Sequence, residues 1–276
     1  MDEEKYIRED EILELKELVK QAYYSEKGGM LLIGDCIEWM KKIPDQSVDM
    51  ILADLPYGTT SCKWDAIIPF DLLWNQYERI IKSNGAIVLT SSQPFTSALV
   101  MSNPKIFKYE WIWEKNRGSN FAILKYQPMK EHESVLIFGK KSVNYYPIMQ
   151  ERKGSGLDRA KYKYNPTNTG KREVMGGFEM SHANHNGNNE LRYPSSIQKF
   201  NTEVGLHPTQ KPVSLFEYLI KTYTKEGEIV LDNVAGSCTT AIASKNTNRR
   251  WICIEKEQKY CDISVERIKK WKVENK

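Results

Sequence analysis

The sequence predicts a doubly wound α/β fold with a mostly parallel sheet and helices on both faces, and three observations carry that prediction. Short apolar runs bounded by Gly, Pro and Asp alternate with segments whose apolar residues recur every three or four positions. The links between them are short, as crossover helices on a parallel sheet require. At 276 residues the chain can bury one sizeable core and still carry a small insertion.

Residues 1–28 are charged, and Ile12, Leu15, Leu18, Val19 and Ala22 recur at helical spacing among Glu and Lys. They predict an N-terminal helical extension packed on the domain surface and ended by Gly28-Gly29. Met30 to Ile33 reads as a strand, followed by a helix from the Gly34-Asp35-Cys36 turn to about Lys42. Asp35 suits its N-cap, with Glu38 three residues on as in a capping box. Val48 to Ala53 reads as a strand buried on both faces and interrupted by Asp49. It runs into the turn Asp54-Leu55-Pro56-Tyr57-Gly58, at the carboxyl edge where open α/β sheets place ligands.

Residues 58–68 are small and polar and predict a mobile loop beside that turn. A helix follows over Phe70–Lys82, with Leu72, Leu73, Tyr77, Ile80 and Ile81 on its buried side and Asn84-Gly85 as its C-cap. Ala86–Thr90 is a strand, Pro94–Met101 a helix with Pro in its first turn, and Tyr109–Trp113 and Ser134–Phe138 are strands. Beyond the middle of the chain, Val213–Thr224 is a helix with Leu215, Phe216, Leu219, Ile220 and Tyr223 as its stripe. Strand Ile229–Leu231, the turn Asp232–Thr240, a helix through Lys245, strand Arg250–Ile254 and an amphipathic helix over Glu257–Trp271 complete it.

Lys141 to Leu206 breaks the alternation. It is rich in Asn, Gly, Tyr, Lys and Arg, with ten Lys/Arg against six Asp/Glu; the rest of the chain balances, thirty against thirty. The whole net charge of +4 therefore sits in this segment. Tyr and Arg stack on bases, Lys and Arg neutralise phosphates, and Asn reads adenine edges. A solvated surface insertion has the same composition. The expected division is residues 1–28 as extension, 29–140 with 207–276 as catalytic domain, and 141–206 as insertion.

Apolar residues make up 40% of the chain and no run approaches a membrane span of about 20 residues. The acidic Met1–Lys5 start lacks a signal core, and five cysteines without CxxC spacing suit reduced thiols in a cytoplasmic setting. His182 and His185 have no Cys companion and few carboxylates nearby, so no metal site is expected. There is no G-x-G-x-x-G and no Walker sequence, which disfavours dinucleotide and P-loop chemistry.

Four stretches carry chemistry: the Asp54–Gly58 turn, His207-Pro208-Thr209-Gln210-Lys211-Pro212, the Asp232–Thr240 turn containing Gly236, and Glu255 at the end of a strand. Together they resemble the amino-methyltransferases of DNA, which move a methyl group from S-adenosylmethionine to an exocyclic base nitrogen. The resemblance covers roughly residues 30–140 and 205–268 and implies a Rossmann-like sheet. It makes Asp54, Leu55, Pro56 and Tyr57 the catalytic turn, with Leu55 where the family has its first Pro. The Asp54 carboxylate and Leu55 carbonyl would accept the amine hydrogens of a flipped base, and Tyr57 would stack on it. Asp35, Cys36, His207, Thr209, Lys211, Asp232, Ala235, Gly236, Ser237 and Glu255 would hold the cofactor, Lys211 and the helix start beside it meeting its carboxylate.

The loop departs from the family's Asp-Pro-Phe-x-Gly-x-Gly: Asn233, Val234 and Cys238 replace Pro, Phe and the second Gly. A positive φ at Cys238 would be costly. In the basic segment Lys161, Lys163, Tyr164, Lys171, Arg172 and Arg192 are the expected contacts to double-stranded DNA. Asp54 favours adenine N6, since relatives acting on cytosine N4 more often carry Ser or Thr there. The order of parts matches a bacterial or phage-type restriction-modification subgroup in which some members dimerise and some pair with an endonuclease of the same site. Cytosine N4, RNA and a protein amide remain alternative targets, and a DNA-binding protein that has lost its cofactor remains a rival of another class.

Overall fold

The computed structural model describes residues 9–58, 65–153, 190–203 and 210–271, and of residues 9–14 the backbone alone. The chain divides into two compact units, Met1–Tyr146 with Ser196–Lys276, and Pro147–Ser195. In the first, α1 (Glu9–Gln21) leads into β1 (Tyr24–Glu26), β2 (Gly29–Ile33), α2 (Cys36–Met40), β3 (Val48–Ala53), α3 (Phe70–Ile80) and β4 (Ile81–Ser91). Next come α4 (Phe95–Ser102), β5 (Phe107–Ser119) and β6 (Lys130–Phe138). In the second unit the described residues form an antiparallel pair, β7 (Gln150–Glu151) with β8 (Leu191–Arg192). The first unit resumes with β9 (Ile197–Phe200), α5 (Val213–Tyr223), β10 (Ile229–Asp232), α6 (Thr239–Asn246), β11 (Arg250–Glu255) and α7 (Gln258–Lys270).

Nine strands form one sheet in the order β1-β2-β11-β10-β3-β4-β6-β5-β9. Strands β2, β11, β10, β3 and β4 run parallel, and β6 pairs antiparallel with both β4 and β5. Alternate strand residues feed two cores, as period-two strands buried on both faces must. Leu32, Ile51, Ala53, Leu89 and Leu231 face α2, α3 and α4, whereas Leu31, Met50, Leu52, Val88 and Val230 face α5 and α6. The doubly wound architecture expected from the sequence is therefore present.

Several local expectations are corrected. The first helix ends at Gln21, not Gly28, and a β1–β2 hairpin follows in which Gly28 takes φ +91°. Leu18 is buried in the first core, which seats the helix on the domain as expected. Asp49 does not interrupt β3: it is buried, pairs with Lys82 at 2.7 Å and accepts from the Ile229 amide at 2.9 Å, tying β3 to the start of β10.

On α3, Leu72 is exposed and Trp74 buried. That helix stops at Ile80, and Gly85 is a strand residue rather than a cap. A Cβ there would come within 2.7 Å of the Asp49 carbonyl oxygen, so Gly permits close strand approach. The insertion is shorter than 141–206 predicts, because β9 pairs with β5 and the Asn144 and Tyr146 amides bond to Asn84 and Thr222 of the first unit.

Candidate active site

Strands β3 and β10 are parallel neighbours, yet the chain leaves them in opposite directions, β3 toward β4 and β10 toward β11. Such a switch point opens a crevice at the carboxyl ends of the strands. A cleft of about 560 Å³ lies there, lined on one side by Asp54–Tyr57 and on the other by Asp35, Cys36, Asp232–Ser237 and Glu255.

Asp54 follows the last residue of β3. Its Oδ1 accepts from Tyr57 Oη at 2.8 Å and Thr90 Oγ1 at 2.5 Å, and its Oδ2 from Lys211 Nζ at 2.6 Å. A carboxylate offers about four lone-pair sites, so one is left for a further donor. Leu55 is buried in the core and anchors the turn. The Tyr57 ring stacks on Phe95, with centroids 5.1 Å apart and planes 25° apart, while still lining the cleft. Burial, and then the Asp54 charge, pushes the Tyr57 phenol well above its ordinary range and keeps it a donor.

Lys211 is directed at Asp54 Oδ2, with Glu133 Oε2 at 3.4 Å, and lines the same cleft. Burial works against its charge, but Asp54, Tyr57 and Glu133 outweigh that and hold the ammonium well above the ordinary lysine range. Burial pushes Glu133 up, yet Lys211 and Lys115 prevail and hold it below the ordinary carboxylate range. Glu133 Oε1 accepts from Lys115 Nζ, so four alternating charges run Lys115, Glu133, Lys211, Asp54. The start of α5, the expected anion site, is engaged by the chain itself: the Val213 amide donates to Glu203 Oε1 at 2.9 Å.

On the other side, Asp35 caps α2, accepting from the Ile37 and Glu38 amides at 2.9 and 3.2 Å. Glu38 pairs with Lys41 instead of closing a capping box. Burial holds the Cys36 thiol above the usual cysteine range, against a partial pull from Asn233. Asp232 accepts from the Val234 amide and from Thr240 Oγ1. Burial nevertheless pushes its carboxyl up to about 7.

Gly236, at φ +51°, donates its amide to Glu255 Oε2 at 2.7 Å, and the Glu257 amide donates to Oε1 at 2.8 Å. Burial raises the Glu255 pKa against the pull of the Glu257, Gly236 and Lys256 amides, and of about four acceptor sites one stays available. The Ala235 amide donates to Ile254 O at 2.9 Å, and Ser237 Oγ donates to Gln210 Oε1 at 3.2 Å.

The departures in this loop each find a place. Asn233 Oδ1 accepts from Tyr77 Oη at 2.6 Å; its buried Nδ2 is without a hydrogen-bond partner. Val234 packs against the first core. Cys238 sits in the left-handed region at φ 57°, ψ 44°, fully buried, so the costly conformation expected there is adopted. Arg267, which no sequence pattern singled out, donates from α7 to Ser237 O at 2.8 Å and braces the loop.

A family model described as DNA methylase matches residues 48–266, which include both turns and most of the cleft lining, Asp35 and Cys36 lying before it. The chain belongs to the DNA methylase family. It is 26% identical over 280 residues to the Type II methyltransferase M2.LlaDCHI of Lactococcus lactis subsp. cremoris, covering 92% of this chain and 94% of that protein. It is 25% identical over 261 residues to the DNA adenine methyltransferase YhdJ of Escherichia coli K12, covering 89% and 84%. Among solved structures, the M1.HpyAVI–SAM complex matches at TM-score 0.57 and 25% identity over 87% of this chain and 99% of that one. The PvuII cytosine-N4-specific DNA methyltransferase matches at TM-score 0.63 and 14% identity over 93% and 91%, which speaks for the fold.

The described residues of this methylase thus bring together Asp54, Leu55, Pro56, Tyr57, Lys211, Asp35, Cys36, Asp232, Ala235, Gly236, Ser237 and Glu255. His207 and Thr209 lie outside the described residues, as do Lys161, Lys163, Tyr164, Lys171 and Arg172. Arg192 is exposed on β8 in the second unit. Among the described residues no His, Cys, Asp and Glu group could hold a metal, and no helix is long and apolar enough to cross a membrane. His182 and His185 also lie outside them.

Proposed function

We propose that this methylase transfers a methyl group from S-adenosylmethionine to the N6 nitrogen of an adenine flipped out of double-stranded DNA. The observation that carries the reading is the single cleft shared by the Asp54 turn and the Gly236–Glu255 turn. The cofactor side fits the group chemically. Glu255 keeps an acceptor site for a ribose hydroxyl, Gly236 brings backbone close, and Asn233 Nδ2 is a buried donor without a partner beside the cleft. Asp35 lines the same cleft for adenine. When bound, S-adenosylmethionine supplies an electrophilic methyl on a sulfonium centre.

The residues of the chain prepare the amine. Its lone pair is delocalised into the base, and acceptors at its two N–H groups return electron density to nitrogen. The remaining lone pair of Asp54 and the Leu55 carbonyl serve as those acceptors. Lys211, held protonated by two carboxylates, is no base; it and Thr90 fix the Asp54 carboxylate in direction. Pro56 fixes the turn, and the Tyr57–Phe95 stack offers a π surface that offsets part of an extrusion cost of a few kcal/mol.

Asp at position 54 and relatives named as adenine methyltransferases favour adenine over cytosine N4. The basic segment around Lys161, Lys163, Tyr164, Lys171, Arg172 and Arg192 supplies target recognition in this reading. A cytoplasmic setting, a homodimer and a cognate endonuclease belong to the same proposal.

The test is mass spectrometry of nucleosides from unmethylated genomic DNA incubated with protein and S-adenosylmethionine. N6-methyladenine is expected, and Asp54→Ala should abolish it while calorimetry still detects cofactor binding. N4-methylcytosine would overturn the base, and neither product would overturn the activity.

A further inference from the structure

Strands β5 and β6 bring Lys115, Ser119 and Glu133 to the cleft and then run past it as a hairpin. Every residue of its tip from Phe121 to Met129 is exposed. Phe121 is 61% and Tyr126 82% exposed, and Ile123, Leu124 and Met129 also face solvent. A contiguous apolar protrusion of this kind is a contact surface rather than scatter.

The tip has a built conformation. Asn120 takes φ +63°, its Oδ1 accepts from the Lys130 amide at 2.9 Å, and the Tyr126 amide donates to Ile123 O at 2.9 Å. At Gly118 an added Cβ would strike the Met129 side chain at 2.2 Å, so Gly lets Met129 cross the hairpin.

Charge selects the occupant. From Arg117 to Lys130 the chain carries three cations, Arg117, Lys125 and Lys130, and no carboxylate. A second copy of the chain docked here about a two-fold axis would set these cations against themselves. A polyanion would not. We propose that the hairpin tip is a DNA wedge: Phe121 or Tyr126 enters the base stack beside the cleft and fills the space an extruded nucleotide leaves, while Lys125 and Arg117 meet phosphates. The proposal rests on the reading of the cleft as a base pocket.

The test pairs anisotropy titration of a labelled random-sequence duplex with single-turnover methyl transfer onto unmethylated genomic DNA. Phe121→Ala with Tyr126→Ala should weaken duplex binding and slow transfer by about tenfold or more, and Phe121→Tyr with Tyr126→Phe should restore both. Lys125→Ala should lower the salt slope of binding by about one. The side chains are exposed, so thermal midpoints should not move. Binding and transfer equal to the unsubstituted protein would overturn the wedge. So would a change from dimer to monomer in sedimentation at unaltered DNA affinity, which would assign the tip to a second copy. If all forms transfer no methyl group but the substitutions still weaken duplex binding, the methyltransfer reading falls and the DNA-contacting tip stands.

Discussion

Replacing Lys211 with Met tests the arrangement at the centre of the site. Lys211 Nζ lies 2.6 Å from Asp54 Oδ2 and 3.4 Å from Glu133 Oε2, and its side chain is 7% exposed. Removing one partner of a buried ion pair costs about 3–5 kcal/mol because a charge is left uncompensated. The low end applies here: Asp54 is 23% exposed and keeps Tyr57 and Thr90, and Glu133 keeps Lys115. About 3 kcal/mol corresponds to a fall in Tm of about 6–12 °C for a chain of this size. Asp54→Asn in the Lys211→Met background should recover part of that loss, with a coupling of about 1–3 kcal/mol in a double-mutant cycle read by urea unfolding.

Methyl transfer should fall at saturating cofactor and DNA, and Lys211→Arg should rescue poorly, since a planar fork does not reproduce a compact ammonium between two carboxylates. If Lys211 instead met the cofactor carboxylate, as its place before α5 suggests, Lys211→Met would weaken cofactor binding and the two substitutions would be additive. Additivity within about 0.5 kcal/mol would refute the reasoning.

Two further predictions concern the cofactor loop. Asp232 is raised by burial to about 7, so between its unfolded value near 4 and that point the folded state binds more protons than the unfolded one. Its contribution to stability is full below about pH 4, is lost as pH rises to about 7, and spans on the order of 4 kcal/mol. Asp232→Asn should remove that pH dependence from urea midpoints, and an unaltered slope would count against a buried, proton-binding Asp232. Cys238 pays for its left-handed backbone with about 1–3 kcal/mol. Cys238→Gly should therefore be close to neutral, strain relief offsetting lost burial, whereas Cys238→Val should cost more than about 2 kcal/mol by the same measure.

The fold was legible because buried parallel strands are apolar runs between turns, a signal a single chain carries. The runs Val48–Ala53, Ile229–Leu231 and Arg250–Ile254 show it, the last two strands extending one residue further in the structure. What failed was local and set by neighbours. Gly85 and Gly28 read alike as helix stops, yet one admits the Asp49 backbone and the other closes a hairpin. Leu72 and Trp74 exchange places because the position of α3 on the sheet, not hydrophobicity, decides which residue is covered. Strand β9 escaped detection because it is four residues long with one buried position, so its pairing with β5 leaves almost no apolar trace.

The site divides along the same line. Asp54, Asp232 and Glu255 stand at strand ends, where position in sequence fixes position in space. Glu133 and Lys115 come from antiparallel strands on the far side of β4, and their pairing depends on a register shift between Glu114 and Ser119 that no local pattern encodes. The place of Lys211 before a helix suggests an anion, and it does hold one, but Glu203 occupies that helix start and the anion at Lys211 is the Asp54 carboxylate. Two protein carboxylates therefore complete what a helix terminus and a lysine would otherwise offer to a ligand. In the proposed function Lys211 acts on the methyl acceptor through Asp54, and a substitution of Lys211 should alter transfer before it alters cofactor affinity.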